Sequence, residues 1–79
     1  MLIVTMDGAV LNLDHVAQIW IEATTNHTWM IKADMDRWVS GRVLGEYNSR
    51  QDAEDELDGF LKCHDMGYVT HYFERPDEQ

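Results

Sequence analysis

The chain has 79 residues, room for one domain and a small core. Six Lys and Arg stand against fifteen Asp and Glu, and the net charge of −9 repels DNA, RNA and anionic membranes. A hydrophobic fraction of 44% is that of a globular chain, and three Trp, three Tyr and two Phe offer large side chains for its core.

The first half reads as short strands punctuated by turn chemistry. Leu2 to Met6 is apolar and ends at Asp7-Gly8, a two-residue hairpin signal. The returning strand Ala9 to Leu13 is ended by Asn12 to Asp14. From Val16 to Ala23 the pattern alternates, with Ile19, Ile21 and Ala23 on one face and Gln18, Trp20 and Glu22 on the other. Thr24 to His27 is a turn cluster. Thr28 to Asp34 alternates again, opposing Trp29, Ile31 and Ala33 to Met30 and Lys32. Asp34 to Arg37 reads as a turn, and Trp38 to Tyr47 as a further strand in which Gly41 and Gly45 mark a bulge or a close approach.

Ser49 then opens a helix as its N-cap, with Asp52 three residues on in a weak capping box. At 100° per residue Ala53, Leu57, Phe60, Leu61 and His64 share one face, and Asp52, Glu54, Asp55, Glu56 and Asp58 cover the remainder. Gly67 is the natural C-cap. The expected fold class is α+β in a single domain over 1–79: an antiparallel β-meander of four to five strands over 1–47, one amphipathic helix over 49–66 packed across it, an extra C-terminal strand over 68–73 and a solvated tail over 74–79. A sheet covered on one face leaves Trp20, Met30 and Leu44 on the other in this register, a patch that calls for a second subunit or a partner.

Cys63 is the only cysteine, so no intrachain disulfide forms, which points to a reducing compartment. Small domains without such a staple commonly rely on self-association, and a homodimer is the expected assembly. No apolar run approaches the ~20 residues that span a bilayer. The stretch "MLIVTMDG" lacks a basic flank and is too short for a signal peptide. The expected location is cytoplasmic.

The acidic helix has two readings. One is a solvated face whose charges sit where the helix dipole favours them. The other is a docking surface for Lys and Arg, with Asp52, Glu54, Asp55, Glu56 and Asp58 as partner-binding residues. Trp20, Met30 and Trp38 are the candidate apolar anchors, because large side chains, the indoles above all, bury much area on contact. Calcium is disfavoured because "DAEDELDG" lacks the EF-hand alternation and its closing Glu. Zinc is disfavoured too: His15, His27, His64, His71 and Cys63 contain no CxxC or HxxxH pair, and on the wheel His64 turns to the core while Cys63 turns to solvent. Cys63 therefore also lacks a base for nucleophilic work. Arg37 and Arg42 beside Trp38 are too few for an RNA-binding face. Glycine-rich phosphate loops and Ser-His-Asp spacings are missing, so neither enzyme activity, nor a cofactor, nor a metal is expected.

"LNLDHVAQIWIE" followed by "LGEYNSRQDAEDELDGF" resembles a group of short uncharacterised proteins of bacterial phages and prophages, which carry an NLDNV-like stretch and an LGxYxSxxxAxxxLD motif. The similarity runs from Leu2 to Phe60 and rests on Leu44, Gly45, Tyr47, Ser49, Ala53, Leu57 and Asp58, positions of a strand, a cap and a helix face. This chain departs in its many aromatics and in the segment after Gly67. The resemblance implies a phage or prophage origin and, at the level of a class, an anti-defence role of the anti-CRISPR type. The expected function is a non-catalytic inhibitor in the host bacterial cytoplasm. It would occlude the basic surface of a host nucleic-acid-binding protein, such as a CRISPR effector, without touching nucleic acid or membrane. The alternative is a self-assembling structural or accessory protein joined through the Trp20 face, its acids turned outward for solubility.

Overall fold

A computed structural model describes residues 1–35 and 41–73. Trp38, the Asp36–Arg37 part of the expected turn and the 74–79 tail lie outside the described residues. The chain order is β1 (Leu2–Val4), β2 (Val10–Asn12), a 3-10 turn (Leu13–His15), β3 (Val16–Ala23), β4 (Trp29–Met35), β5 (Arg42–Tyr47), α1 (Arg50–Asp65) and β6 (Thr70–Tyr72). The fold is α+β, with the antiparallel meander β3-β4-β5 packed against α1. The strands divide into two sheets. β2, β1 and β6 form a small one in that order, where β6 runs parallel to β1 and the hairpin partner β2 antiparallel to it.

Both hairpins of the first half close in the same way. Thr5 N–H donates to the Ala9 carbonyl at 2.8 Å, and Thr24 N–H donates to the Thr28 carbonyl at 2.9 Å. Each loop thus holds three residues, so Asp7-Gly8 is the end of a longer turn rather than a two-residue one. A three-residue loop needs its last member left-handed, and Gly8 (φ 93°) and His27 (φ 64°) fill that place. The threonine hydroxyls take up free loop amides: Thr5 Oγ1 accepts from Ala9 at 3.0 Å and Thr24 Oγ1 from Asn26 at 3.1 Å. Asn12 ends β2 as expected, its side chain accepting from Asp14 N–H at 2.9 Å.

Asp34, expected in a turn, lies inside β4, where its carboxylate accepts from Gln18 Nε2 at 2.8 Å and from Gly41 N–H at 2.9 Å. A second difference is larger. Ile31 pairs with Gly45 and Lys32 with Val43, so Leu44 is the extra residue of a β-bulge. The bulge reverses the side-chain parity of β5. Leu44, expected on the exposed face, is fully buried. Its carbonyl accepts from Met6 N–H at 2.8 Å, which ties the loop after β1 to the large sheet.

α1 starts and stops as its caps dictate. Asp52 N–H donates to Ser49 Oγ at 3.1 Å. At the other end Gly67 (φ 80°) allows a Schellman motif, with Tyr68 N–H donating to the Cys63 carbonyl and Gly67 N–H to that of His64. Ala53, Leu57 and Phe60 face the core, but Leu61 and His64 are exposed while Cys63 is half-buried, the reverse of the wheel reading for the last two. The inward stripe is rotated toward β6, because Phe60 meets His71 edge to face and Phe73 at a tilt, with ring centroids 5.4 and 5.5 Å away. The core joins Ile3 and Phe73 at the small sheet, Ile31, Ala33, Leu44 and Tyr47 from the large one, and Ala53 and Phe60 from the helix.

Two substitutions test this backbone account by urea denaturation. Gly45→Ala places a Cβ 2.6 Å from Tyr47 Oη and should cost about 1–3 kcal/mol through overpacking. His27→Gly should instead stabilise by about 1 kcal/mol, because it relieves a left-handed side-chain-bearing residue. An unchanged midpoint in either variant would contradict the geometry it tests.

Candidate functional site

Four of the acids proposed for docking stand on the outer side of α1. Asp52, Glu54, Asp55 and Asp58 are exposed. Glu54 meets Arg50 Nε at 2.9 Å, Asp58 meets Lys62 Nζ at 3.1 Å, and Asp55 accepts from Gln51 Nε2 at 2.8 Å. Such exposed i,i+4 pairs contribute only about 0.3–0.5 kcal/mol each, so they hold the side chains loosely and leave them free to change partners. Arg50 is further engaged above the Trp29 ring, 5.4 Å from its centroid.

Glu56 differs from the other four. It sits half-buried and reaches His71 Nε2 on β6 at 2.9 Å, with side-chain exposures of 23% and 11%. This contact clasps α1 to β6 and withdraws Glu56 from the open acidic face. Near it lies Tyr47, whose hydroxyl is buried and has no hydrogen-bond partner among the described residues. Burial pushes the Tyr47 phenol well above its ordinary pKa, and the nearby Glu56 carboxylate adds to the effect. Wheel reasoning missed this cluster because it assigned Glu56 by angle alone. The signal that could have found it was a neutral-to-basic residue, His71, next to the apolar Phe73 on a strand that must cover the helix.

Trp20 and Met30 lie on the far side of the large sheet from the helix. Ile31 and Ala33 face the core with Ala53 and Phe60, so their strand neighbours Met30 and Lys32 face away, and Trp20 pairs with Lys32 across the strands. No single flat partner can therefore touch Trp20 and Asp55 together. The Trp20 face is also less apolar than expected. Trp20 Nε1 donates to Glu22 Oε1 at 3.1 Å, Lys32 Nζ reaches Glu22 Oε2 at 3.0 Å, and Thr28 bonds to Glu46. The indole hydrogen bond first, and then Lys32, hold the Glu22 carboxyl below its ordinary pKa. Both Trp20 and Met30 are half-buried within this polar lattice.

Among the described residues no group of three or more His, Cys, Asp or Glu side chains is gathered to hold a metal ion, and no helix is long and apolar enough to cross a membrane. Comparison of the chain with protein-family models, with curated proteins and with solved structures finds no match.

The Tyr47 environment sets a pH dependence whose sign is fixed. A folded-state pKa raised above the ordinary 10.0 means that the folded protein holds the phenolic proton more tightly than the unfolded chain. The contribution is intact below about pH 10 and is lost above it, by up to about 1.4 kcal/mol per pH unit until the folded-state pKa is reached. Tyr47→Phe should flatten that alkaline loss and leave stability at neutral pH unchanged or raised by about 1 kcal/mol, since it deletes an unpartnered buried hydroxyl. Urea unfolding at about pH 8 and about pH 11 compares the two proteins. Equal alkaline losses would show that another group is responsible.

Proposed function

We propose that this chain is a non-catalytic, phage- or prophage-encoded inhibitor that works in the host bacterial cytoplasm by occluding a basic surface of a nucleic-acid-binding host protein, in the manner of anti-CRISPR proteins. The observation that carries the reading is the open row Asp52, Glu54, Asp55 and Asp58 on one helix, in a chain of net charge −9. A rigid capped helix presents these carboxylates without a loop that must first be ordered, which lowers the entropic cost of docking. Their charge speeds encounter with Lys- and Arg-lined grooves and disfavours nucleic acid itself. The resemblance of Leu2 to Phe60 to short phage and prophage proteins implies the origin and, at the level of a class, the role. The docking face is the helix alone, with Glu56 committed to His71 and Trp20 turned to the opposite side.

The test is capture of host proteins by the tagged chain beside its Asp55→Lys/Asp58→Lys variant, whose fold should change by no more than about 0.5 kcal/mol because both sites are exposed. A stoichiometric, basic, nucleic-acid-handling protein should be retained at ~0.05 M salt and released at ~0.5 M, where charges are screened within a few Å. The variant should bind it at least ~100-fold more weakly. A partner held equally by both proteins, or held more tightly at high salt, would defeat the acidic-face reading.

A further inference from the structure

The large sheet has its polar lattice, but the outer face of the small sheet has none. Register places Val4 directly opposite Val10 on one side and Tyr72 on the other, with Leu2 between Asn12 and Thr70 in the next row. These six side chains share one face, and none is charged. Their strand neighbours Ile3, Leu11 and His71 point the opposite way, toward the core and α1. Leu2, Val10 and Tyr72 are 44%, 61% and 58% exposed. Of the exposed large hydrophobics among the described residues, Val43 alone belongs to the large sheet, whereas Leu2, Val10, Tyr68, Val69 and Tyr72 lie in the small sheet or in the segment that enters it.

We infer that a second copy of this chain covers that face, giving a two-fold dimer in which the small sheets pack against each other. Charge selects the occupant. A chain of net charge −9 meets its own copy at least cost where it carries no charge. Here the acidic row of α1 lies on the other side of the small sheet, so face-to-face packing keeps the two acidic helices apart. Asp7 and Asp14 lie in the turns at either end of β2, at the margin of the contact. A basic partner would find no carboxylate on this face to pair with. The face offers on the order of 500 Å² of side-chain surface, below the ~800 Å² per partner of a standard interface, so the dimer dissociates in the micromolar to millimolar range. This inference goes beyond the inhibitor reading and does not rest on it.

Sedimentation equilibrium of the purified full chain, with no partner present, is the experiment. The expected result is a monomer–dimer equilibrium that tightens as salt rises from ~0.05 to ~0.5 M, because screening weakens the repulsion between like-charged chains. Docking of a basic partner through α1 has the opposite salt dependence, so the two ideas fail separately. Val10→Glu and Tyr72→Glu should each raise the dissociation constant at least ~100-fold, by burying an unpaired charge. Val43→Glu, on the outer face of the large sheet, should leave it unchanged. Concentration-dependent amide shifts in the unaltered protein should map to Leu2, Val10 and Tyr72, which keeps the test independent of whether the variants fold. A chain with no dimer at ~1 mM and ~0.5 M salt, where a millimolar dissociation constant would already pair about half of the chains and charge repulsion is screened, would overturn the inference. So would a dimer whose shifts map to the Trp20 face.

Discussion

The arrangement of the whole domain hangs on one irregular residue in one strand. At Leu44 the ladder between β4 and β5 slips by one, and two consequences follow at the same place. The Leu44 side chain turns inward to join Ile31 and Phe60 in the core, and its carbonyl becomes free to accept Met6 N–H at 2.8 Å. Without the bulge, Leu44 would stand in water and the carbonyl would remain in the ladder. Among the described residues, the Met6–Leu44 bond is the backbone hydrogen bond that joins the loop after β1 to β5. Gly45, next in line, lets the Tyr47 ring lie over the strand, since any Cβ there would meet its hydroxyl. A bulge commonly re-aims side chains at the corner of a sheet, and here it makes the corner between two sheets.

Once the two sheets and the helix are set, the surfaces sort themselves by chemistry. α1 packs on the inner face of the large sheet, meets the small sheet through Phe60 and Glu56, and keeps its other carboxylates outside. The outer face of the large sheet alternates half-buried Trp20 and Met30 with Glu22, Lys32 and Glu46, whose mutual bonds satisfy the polar groups and shield the apolar ones. The outer face of the small sheet has neither shield nor charge. Three surfaces of different character on so small a body mean that acidic docking and self-association do not compete for the same residues.

Local signals in the chain were legible where one or two residues decide a structure. Ser49 caps the helix, Gly67 ends it, Asn12 stops β2, and the alternation from Ile19 to Ala33 divides core from surface. What escaped was set by partners distant in the chain. Gly45 marks a bulge or a close approach at this point of the strand, but it does not say which residue is the extra one, so the side of Leu44 was misread by strict alternation. The tilt of the helix stripe depends on Phe73 and His71, which lie beyond the helix and reach it only through a strand paired with Leu2 to Val4. The acids were visible as a group, but the inward turn of Glu56 required the position of His71. The open face of the small sheet escaped for the same reason: Leu2 and Val10 look like ordinary strand residues until β6 brings Tyr72 beside them.

The pairing of β1 with β6 also determines how the fold can be completed. Leu2 and Thr70 are neighbours in space but nearly a chain length apart, and closing a long loop costs entropy that must be recovered by contacts made after closure. Those contacts are few and specific. Phe73 packs on Phe60, His71 reaches Glu56, and Leu2 N–H and Phe73 N–H each bond across the β1–β6 pair, to the Val69 and Val4 carbonyls. Glu56 and Phe60 stand one turn apart on α1, so the helix alone sets both clasp residues on the side that β6 meets. β6 is short, lies at the edge of its sheet and carries exposed apolar surface, so its place in the fold depends on these few contacts. A second chain laid over Val10, Val4 and Tyr72 would add contacts to the β1–β6 pair where this chain supplies few of its own, because it would bury apolar side chains that both strands leave exposed.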